Sequence, residues 1–165
     1  MTVMRIMSLS LLVILIAAAA HAQEAIDYTA LVALGSRCSG LNEQIIKSII
    51  YVESRGNPYA VNVNGVGGFQ PSTLRDALRV LYKYNRANSD LGLMQINYLT
   101  WGRATKLTPI QMLDPEINVC LGSVILRDYI NTHGGWKGVG RYNAVSPKKQ
   151  REYILRVASI YRRIK

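Results

Sequence analysis

Apolar residues recur at helical spacing along most of this chain. Over residues 44–54, Ile46, Ile49 and Ile50 fall on one face, and Asn42 precedes the run as a cap. A shorter stretch of the same kind covers residues 28–34, ahead of Gly35 and Cys38. Ser72 precedes a third run, which turns Leu74, Leu78, Leu81 and Tyr82 inward and ends near 85–88. Thr108 and Pro109 supply a cap and first turn for a brief helix near Gln111. Pro115 opens the longest central helix, with Ile117, Cys120, Leu121, Val124 and Ile125 on its apolar face. Gly134 and Gly135 close it just after His133. A last helix follows Ser146 and Pro147 and buries Tyr153, Val157, Ile160, Tyr161 and Ile164.

Between these runs the pattern changes. Residues 57–71 collect Asn57, Pro58, Asn62, Asn64, Gly65, Gly67, Gly68 and Pro71, which predicts a loop or small β-hairpin. Asp90 to Asn97 reads as the start of another short helix, and the stretch around Trp136 reads as a loop. No β-α-β alternation, internal repeat or low-complexity linker interrupts the series. The chain predicts one mainly α domain.

The N terminus follows a different rule. Arg5 gives a short basic start, residues 11–20 are uninterruptedly apolar, and Ala20, His21 and Ala22 form a small-x-small cleavage site. That pattern predicts a cleaved export signal over residues 1–22 and a periplasmic or secreted protein. A retained anchor is the alternative, but the apolar core is short for a membrane span. The mature segment, 23–165, is long enough for one domain with a core of its own.

Export changes what the charge means. The formal net charge is +10, and Arg5 is the only charged residue in the signal, so the mature segment carries +9. On an exported protein such an excess points to acidic envelope polymers or anionic lipid, not nucleic acid. Lys148, Lys149 and Arg151 precede the last helix's apolar positions, and Arg162, Arg163 and Lys165 follow them. A solvated basic face explains these runs as well as a docking surface does. Export also sets the chemistry of Cys38 and Cys120. In an oxidising compartment a disulfide between them is the default, and two buried thiols are the alternative.

Several reaction classes drop out. The mature segment has a single histidine, His133, and no Cys-x-x-Cys, so neither a multi-histidine zinc site nor another metal or cofactor is indicated. There is no Gly-x-Ser-x-Gly elbow for a Ser-His-Asp triad. A Cys-His hydrolase would need Cys38 or Cys120, and Cys120 sits on a packed face. Gly65 to Gly68 lacks the lysine and hydroxyl residue of a phosphate loop.

Glu53 is what remains. It lies seven residues after Ile46 and four after Ile49, and so extends the inward stripe of its helix with a carboxyl group. Burial and the negative helix end both disfavour its charged form, and a raised pKa suits a general acid near neutral pH. The ordinary alternative is a carboxylate paired with a nearby arginine.

Three short motifs stand in order along the chain: Glu53 with Ser54, Gly92 to Gln95, and Tyr142 with Asn143 and Ala144. With them the chain resembles the soluble lytic transglycosylases of the lysozyme-like superfamily, over nearly all of residues 38–145. It is more narrowly similar to the small single-domain members that accompany type IV secretion, conjugation, type III secretion or type IV pilus machines. The signal, the isolated domain, the stretch from Asn62 to Gly65 with an inserted helix before Asp90, and Cys120 within 114–120 carry that likeness. Arg141 stands where the family has a small residue, and Val145 where it has glycine.

The resemblance implies a lysozyme-like helical domain cleaving the β-1,4 bond between N-acetylmuramic acid and N-acetylglucosamine in peptidoglycan. It makes Glu53 the one catalytic acid and base, with the muramic acid C6 hydroxyl as nucleophile, and it excludes Asp90 as a second catalytic carboxylate. It places Ser54, Met94, Gln95, Tyr142 and Asn143 on the substrate, with Tyr142's hydroxyl near Glu53. Four of them have a plainer role open to them: a helix end for Ser54, core for Met94 and Tyr142, a turn for Asn143. Trp101 and Trp136 are sugar-stacking or packing residues. A water-using muramidase and a non-catalytic wall-binding factor are the competing functions.

Overall fold

A computed structural model describes residues 26–84 and 88–164. The expected export signal, residues 1–22, lies outside the described residues, as does the expected helix end at 85–87. The architecture is mainly α, with a small antiparallel sheet inserted between the early and late helices.

Helix α1 (Tyr28–Ser39) is capped by Asp27, whose side chain accepts from the amides of Thr29 and Ala30. It runs five residues beyond its expected end, through Gly35 and Cys38, to a left-handed Gly40. Gly35 is tolerated because α1 crosses α6 (Pro115–His133) at that point. A Cβ there would meet Ser123 Oγ at 2.7 Å and Val119 Cγ1 at 2.8 Å. The Cys38–Cys120 disulfide fastens the same crossing, with 5.5 Å between the Cα atoms and a sequence separation of 82.

Helix α2 (Glu43–Ser54) starts at Asn42, which accepts from Gln44 N at 2.7 Å, as the cap pattern predicts. Ile46, Ile49 and Ile50 are buried along its inner face. Arg55, in the left-handed region at φ 56°, ends it.

The predicted hairpin is present as β1 (Val61–Val63) and β2 (Gly67–Phe69). It belongs to a larger sheet than the sequence pattern suggests. Residues expected to begin a helix at Asp90 instead form β3 (Ser89–Leu91), a tight turn and β4 (Ile96–Asn97), giving the antiparallel order β2-β1-β3-β4. Alternation decides the matter: Val61, Val63, Leu91 and Ile96 enter the core, while Asn62, Asp90 and Asn97 pair across the strands on the other face. Helix α3 (Leu74–Lys83) lies between β2 and β3 in sequence. Its cap is Thr73, not Ser72, and Ala77 and Leu81 are its buried residues, whereas Tyr82 is 90% exposed.

After β4 come a π-helical turn (Tyr98–Gly102), α4 (Arg103–Thr105) and α5 (Pro109–Met112). The Thr108–Gln111 capping box and Pro109 start α5 as the sequence implies. Asp114 caps α6, accepting from the amides of Glu116 and Ile117. The buried face of α6 differs from the expected apolar stripe, since Asn118, Val119, Gly122, Ser123, Ile125 and Leu126 fill it. A central helix wrapped by neighbours needs small and hydrogen-bonded groups as much as bulk. A Cβ on Gly122 would sit 2.7 Å from Met94 Sδ.

The stretch around Trp136, expected as a loop, is helix α7 (Gly135–Asn143). Its glycines mislead by composition. A Cβ at Gly138 would fall 2.4 Å from Ile130 Cα, so the residue lets α7 lie directly on α6. Helix α8 (Pro147–Arg163) buries Tyr153 and Val157 and leaves Ile160, Tyr161 and Ile164 half-covered.

Candidate active site

A cleft of about 540 Å³ runs between the helical part and the sheet. Glu53, Gln95, Trp101, Tyr142 and Asn143 line it, together with Phe69, Gln70 and the polar face of the sheet.

Glu53 enters from the last turn of α2, where the isoleucine stripe below it fixes which way the helix faces. Its carboxyl accepts a hydrogen bond from Tyr153 Oη at 2.5 Å. Burial pushes its pKa up, the Tyr153 hydrogen bond opposes that, the charge of Asp90 adds to the rise and that of Arg156 reduces it; the result is about 7. The arginine-paired alternative is not what the fold builds. Among the described residues the ion pairs are Arg79–Asp76 and Arg127–Asp128, and Arg156 lies over the Tyr153 ring, 5.5 Å from its centre. A carboxyl group poised near neutrality in a cleft can give up a proton and take one back.

The turn between β3 and β4 brings Gln95 to the cleft. Gly92, at φ 77°, packs so tightly that a Cβ would reach Asn118 Nδ2 at 2.5 Å. Asn118 is buried and clamps the turn from α6: its amide nitrogen donates to Leu91 O and Met112 O, both at 2.8 Å, and its oxygen accepts from Met94 N at 2.8 Å. Gln95 itself has φ 48° and donates through Nε2 to Ala60 O at 3.1 Å and Gly92 O at 2.9 Å. Those bonds hold the side chain and leave Oε1 as its polar atom for a ligand. A left-handed glutamine fixed in this way is local strain held at the lining of the cleft.

Two expected substrate contacts are placed elsewhere. Ser54 is buried; its hydroxyl donates to Ile50 O at 3.0 Å and accepts from Gly56 N at 3.2 Å, which closes the helix end. Met94 is fully buried against Gly122 and Ser123, and its carbonyl, not its side chain, serves the site. That carbonyl accepts from Tyr142 Oη at 2.8 Å, so Tyr142 holds the β3–β4 turn and does not hold Glu53. The tyrosine that does so is Tyr153, which the apolar stripe marks only as core. Asn143 lies exposed at the cleft, at the end of α7. Gln150 steadies that end by donating to Ala144 O at 3.0 Å and Val145 O at 2.8 Å. Trp101 lines the cleft, whereas Trp136 packs edge-on against Tyr161.

The sheet contributes a polar row that the sequence pattern did not reveal. Asn62 pairs with Asp90, and Asp90 with Asn97, on neighbouring strands. Alternation in 60–64, with valines at 61 and 63 and asparagines at 62 and 64, is the signal that carried it. Among the described residues no three His, Cys, Asp or Glu side chains gather as a metal site.

The model of the family described as Transglycosylase SLT domain matches residues 32–156, a span that holds the cleft and every element around it. No curated protein and no solved structure matches the chain. The chain belongs to the Transglycosylase SLT domain family, and that membership supports a lytic transglycosylase activity with peptidoglycan as substrate.

Proposed function

We propose that this protein cuts the β-1,4 bond between N-acetylmuramic acid and N-acetylglucosamine without water, leaving 1,6-anhydromuramic ends. The observation that carries the reading is Glu53: a carboxyl group in the cleft, held by Tyr153, with its pKa raised to about 7. Protonated Glu53 donates to the glycosidic oxygen as the C1–O bond breaks and its electron pair leaves with that oxygen. The carboxylate then takes the proton of the muramic acid C6 hydroxyl, whose oxygen closes on C1. Glu53 ends as it began, and no water is consumed. An intramolecular hydroxyl acts at a very high effective concentration, which removes the need for a residue that activates an external nucleophile. Gln95, Asn143 and Trp101 line the cleft and are the side chains assigned in this reading to seat the glycan.

The export signal read from residues 1–22 supports action in the periplasm or outside the cell. The likeness of residues 62–65 and of Cys120 within 114–120 to the members that accompany such machines supports a local role, opening the wall for a secretion, conjugation or pilus apparatus.

Isolated sacculi digested with wild type and with Glu53→Gln test the reaction. Wild type is expected to release anhydro-muropeptides and the variant none. Reducing-end products from wild type would instead mean hydrolysis, and undiminished release by Glu53→Gln would remove Glu53 from the chemistry.

A further inference from the structure

Helix α3 carries a second apolar line that the core does not absorb. Ala77 and Leu81 are its buried residues. Leu74, Leu78 and Tyr82 stand four residues apart beside them. At 3.6 residues per turn, each four-residue step carries that line about 40° further round the helix. The line therefore starts at the edge of the core and climbs into solvent. Leu74 and Leu78 are half-covered, and Tyr82 is 90% exposed.

Arg75 and Arg79 run along the outer edge of this ridge, and both are exposed. The five side chains line a shallow hollow of about 560 Å³ that shares no residue with the cleft. Arg79 also pairs with Asp76 at 2.8 Å. Arg75, Arg79 and Lys83 against Asp76 leave α3 with a net charge of +2.

The shape of the ridge fits another helix, because residues four apart form a ridge that packs into the groove of a neighbour. Its composition fits a protein partner, since aromatic side chains and arginine are enriched at protein interfaces. Its charge selects which protein. A second copy of this chain, seated by two-fold symmetry, would bring the same cationic edge against itself. A partner carboxylate instead meets a guanidinium able to bind it through two parallel hydrogen bonds.

We propose that the outer face of α3 is a docking surface for an acidic amphipathic helix of another protein. Leu74, Leu78 and Tyr82 pack against the partner's apolar stripe, and Arg75 and Arg79 hold the carboxylates that flank it. None of these residues lines the cleft, so the surface is separate from the one assigned to the glycan and does not depend on the role of Glu53.

The test is fluorescence anisotropy with a labelled, Ala-based helical peptide of about 20 residues. Its stripe carries Leu at four-residue spacing, with Glu on both sides, and matched peptides replace Glu by Lys or Leu by Ser. Wild type is expected to bind the Glu peptide, less tightly as salt rises, and neither matched peptide. Tyr82→Ala and Leu78→Ser should each weaken binding about ten-fold. The double variant Arg75→Glu, Arg79→Glu should lose the Glu peptide and accept the Lys peptide. Should Leu78→Ser fail to fold, Tyr82→Ala, at an exposed position, still decides the matter. No binding by wild type up to about 1 mM peptide overturns the inference, as does equal binding of the Glu and Lys peptides or undiminished binding by Tyr82→Ala. Self-association that depends on Tyr82, or Tyr82-dependent capture by phosphatidylglycerol vesicles without peptide binding, also overturns it, by making the face a self-contact or a lipid contact.

Discussion

Tyr153 donates to Glu53 Oε1 across 2.5 Å, and the two residues are 100 positions apart in the chain. The last helix therefore completes the site that the second helix begins. The bond pulls the Glu53 pKa down against the larger push of burial, while Tyr153's own hydroxyl is driven well above its usual pKa by burial and by the carboxylate beside it. The tyrosine thus remains a donor throughout the working range.

Tyr153→Phe removes the bond but keeps the ring. Glu53 should then hold its proton to higher pH, and the alkaline limb of the pH–rate profile should move upward. Maximal rate should fall about 3- to 10-fold, because the carboxyl loses its orientation. An unmoved limb in a folded variant would deny the bond any catalytic bearing.

Glu53 also ties stability to pH. Its folded pKa is raised from 4.5 to about 7, so between those values the folded protein binds more protons than the unfolded chain. Stability from this group is complete below about 4.5 and declines as pH rises through about 7. Glu53→Gln, which cannot ionise, should therefore be more stable than wild type at pH 8 by about 1–3 kcal/mol. The difference should vanish near pH 4. Urea melts at the two pH values read it directly.

Asn118 is the hidden support of the cleft. Asn118→Ala strands Leu91 O, Met112 O and Met94 N in the interior and should cost about 3 kcal/mol or more. Where the protein still folds at low temperature, KM should rise, because Gln95 rides on the same turn. A variant with wild-type stability and KM would contradict the clamp.

The Cys38–Cys120 disulfide closes a long loop, and the double Cys→Ser variant should lose about 2–4 kcal/mol of stability. The bridge lies at the α1–α6 crossing and does not line the cleft, so kcat per folded molecule should be unchanged. Denaturant midpoints and active-fraction kinetics separate the two effects.

The helical frame was legible because its signals are local. Asn42 and Thr108 sit at caps, Pro115 opens the central helix, and the isoleucines of α2 point Glu53 inward before any tertiary contact is known. The cysteine pairing followed from there being two cysteines and from the expected export. What was hidden depended on distant partners. Strands β3 and β4 are too short to show alternation by themselves, and they become strands because β1 pairs with β3 and β3 in turn pairs with β4. Helix α7 looks like a loop until α6 is present to require glycine at 138. Tyr153 sits on an apolar stripe like any core residue, and only folding brings its hydroxyl to Glu53. The motif residues Ser54 and Met94 build the site from behind, a role their spacing does not distinguish from contact with sugar.

The most direct test is a ¹³C NMR titration of the Glu53 side-chain carboxyl in the protein, assigned by comparison with Glu53→Gln. A midpoint near 7 is the expected result, and a midpoint at or below 4.5, the ordinary glutamate value, would contradict the assignment of Glu53 as the acid.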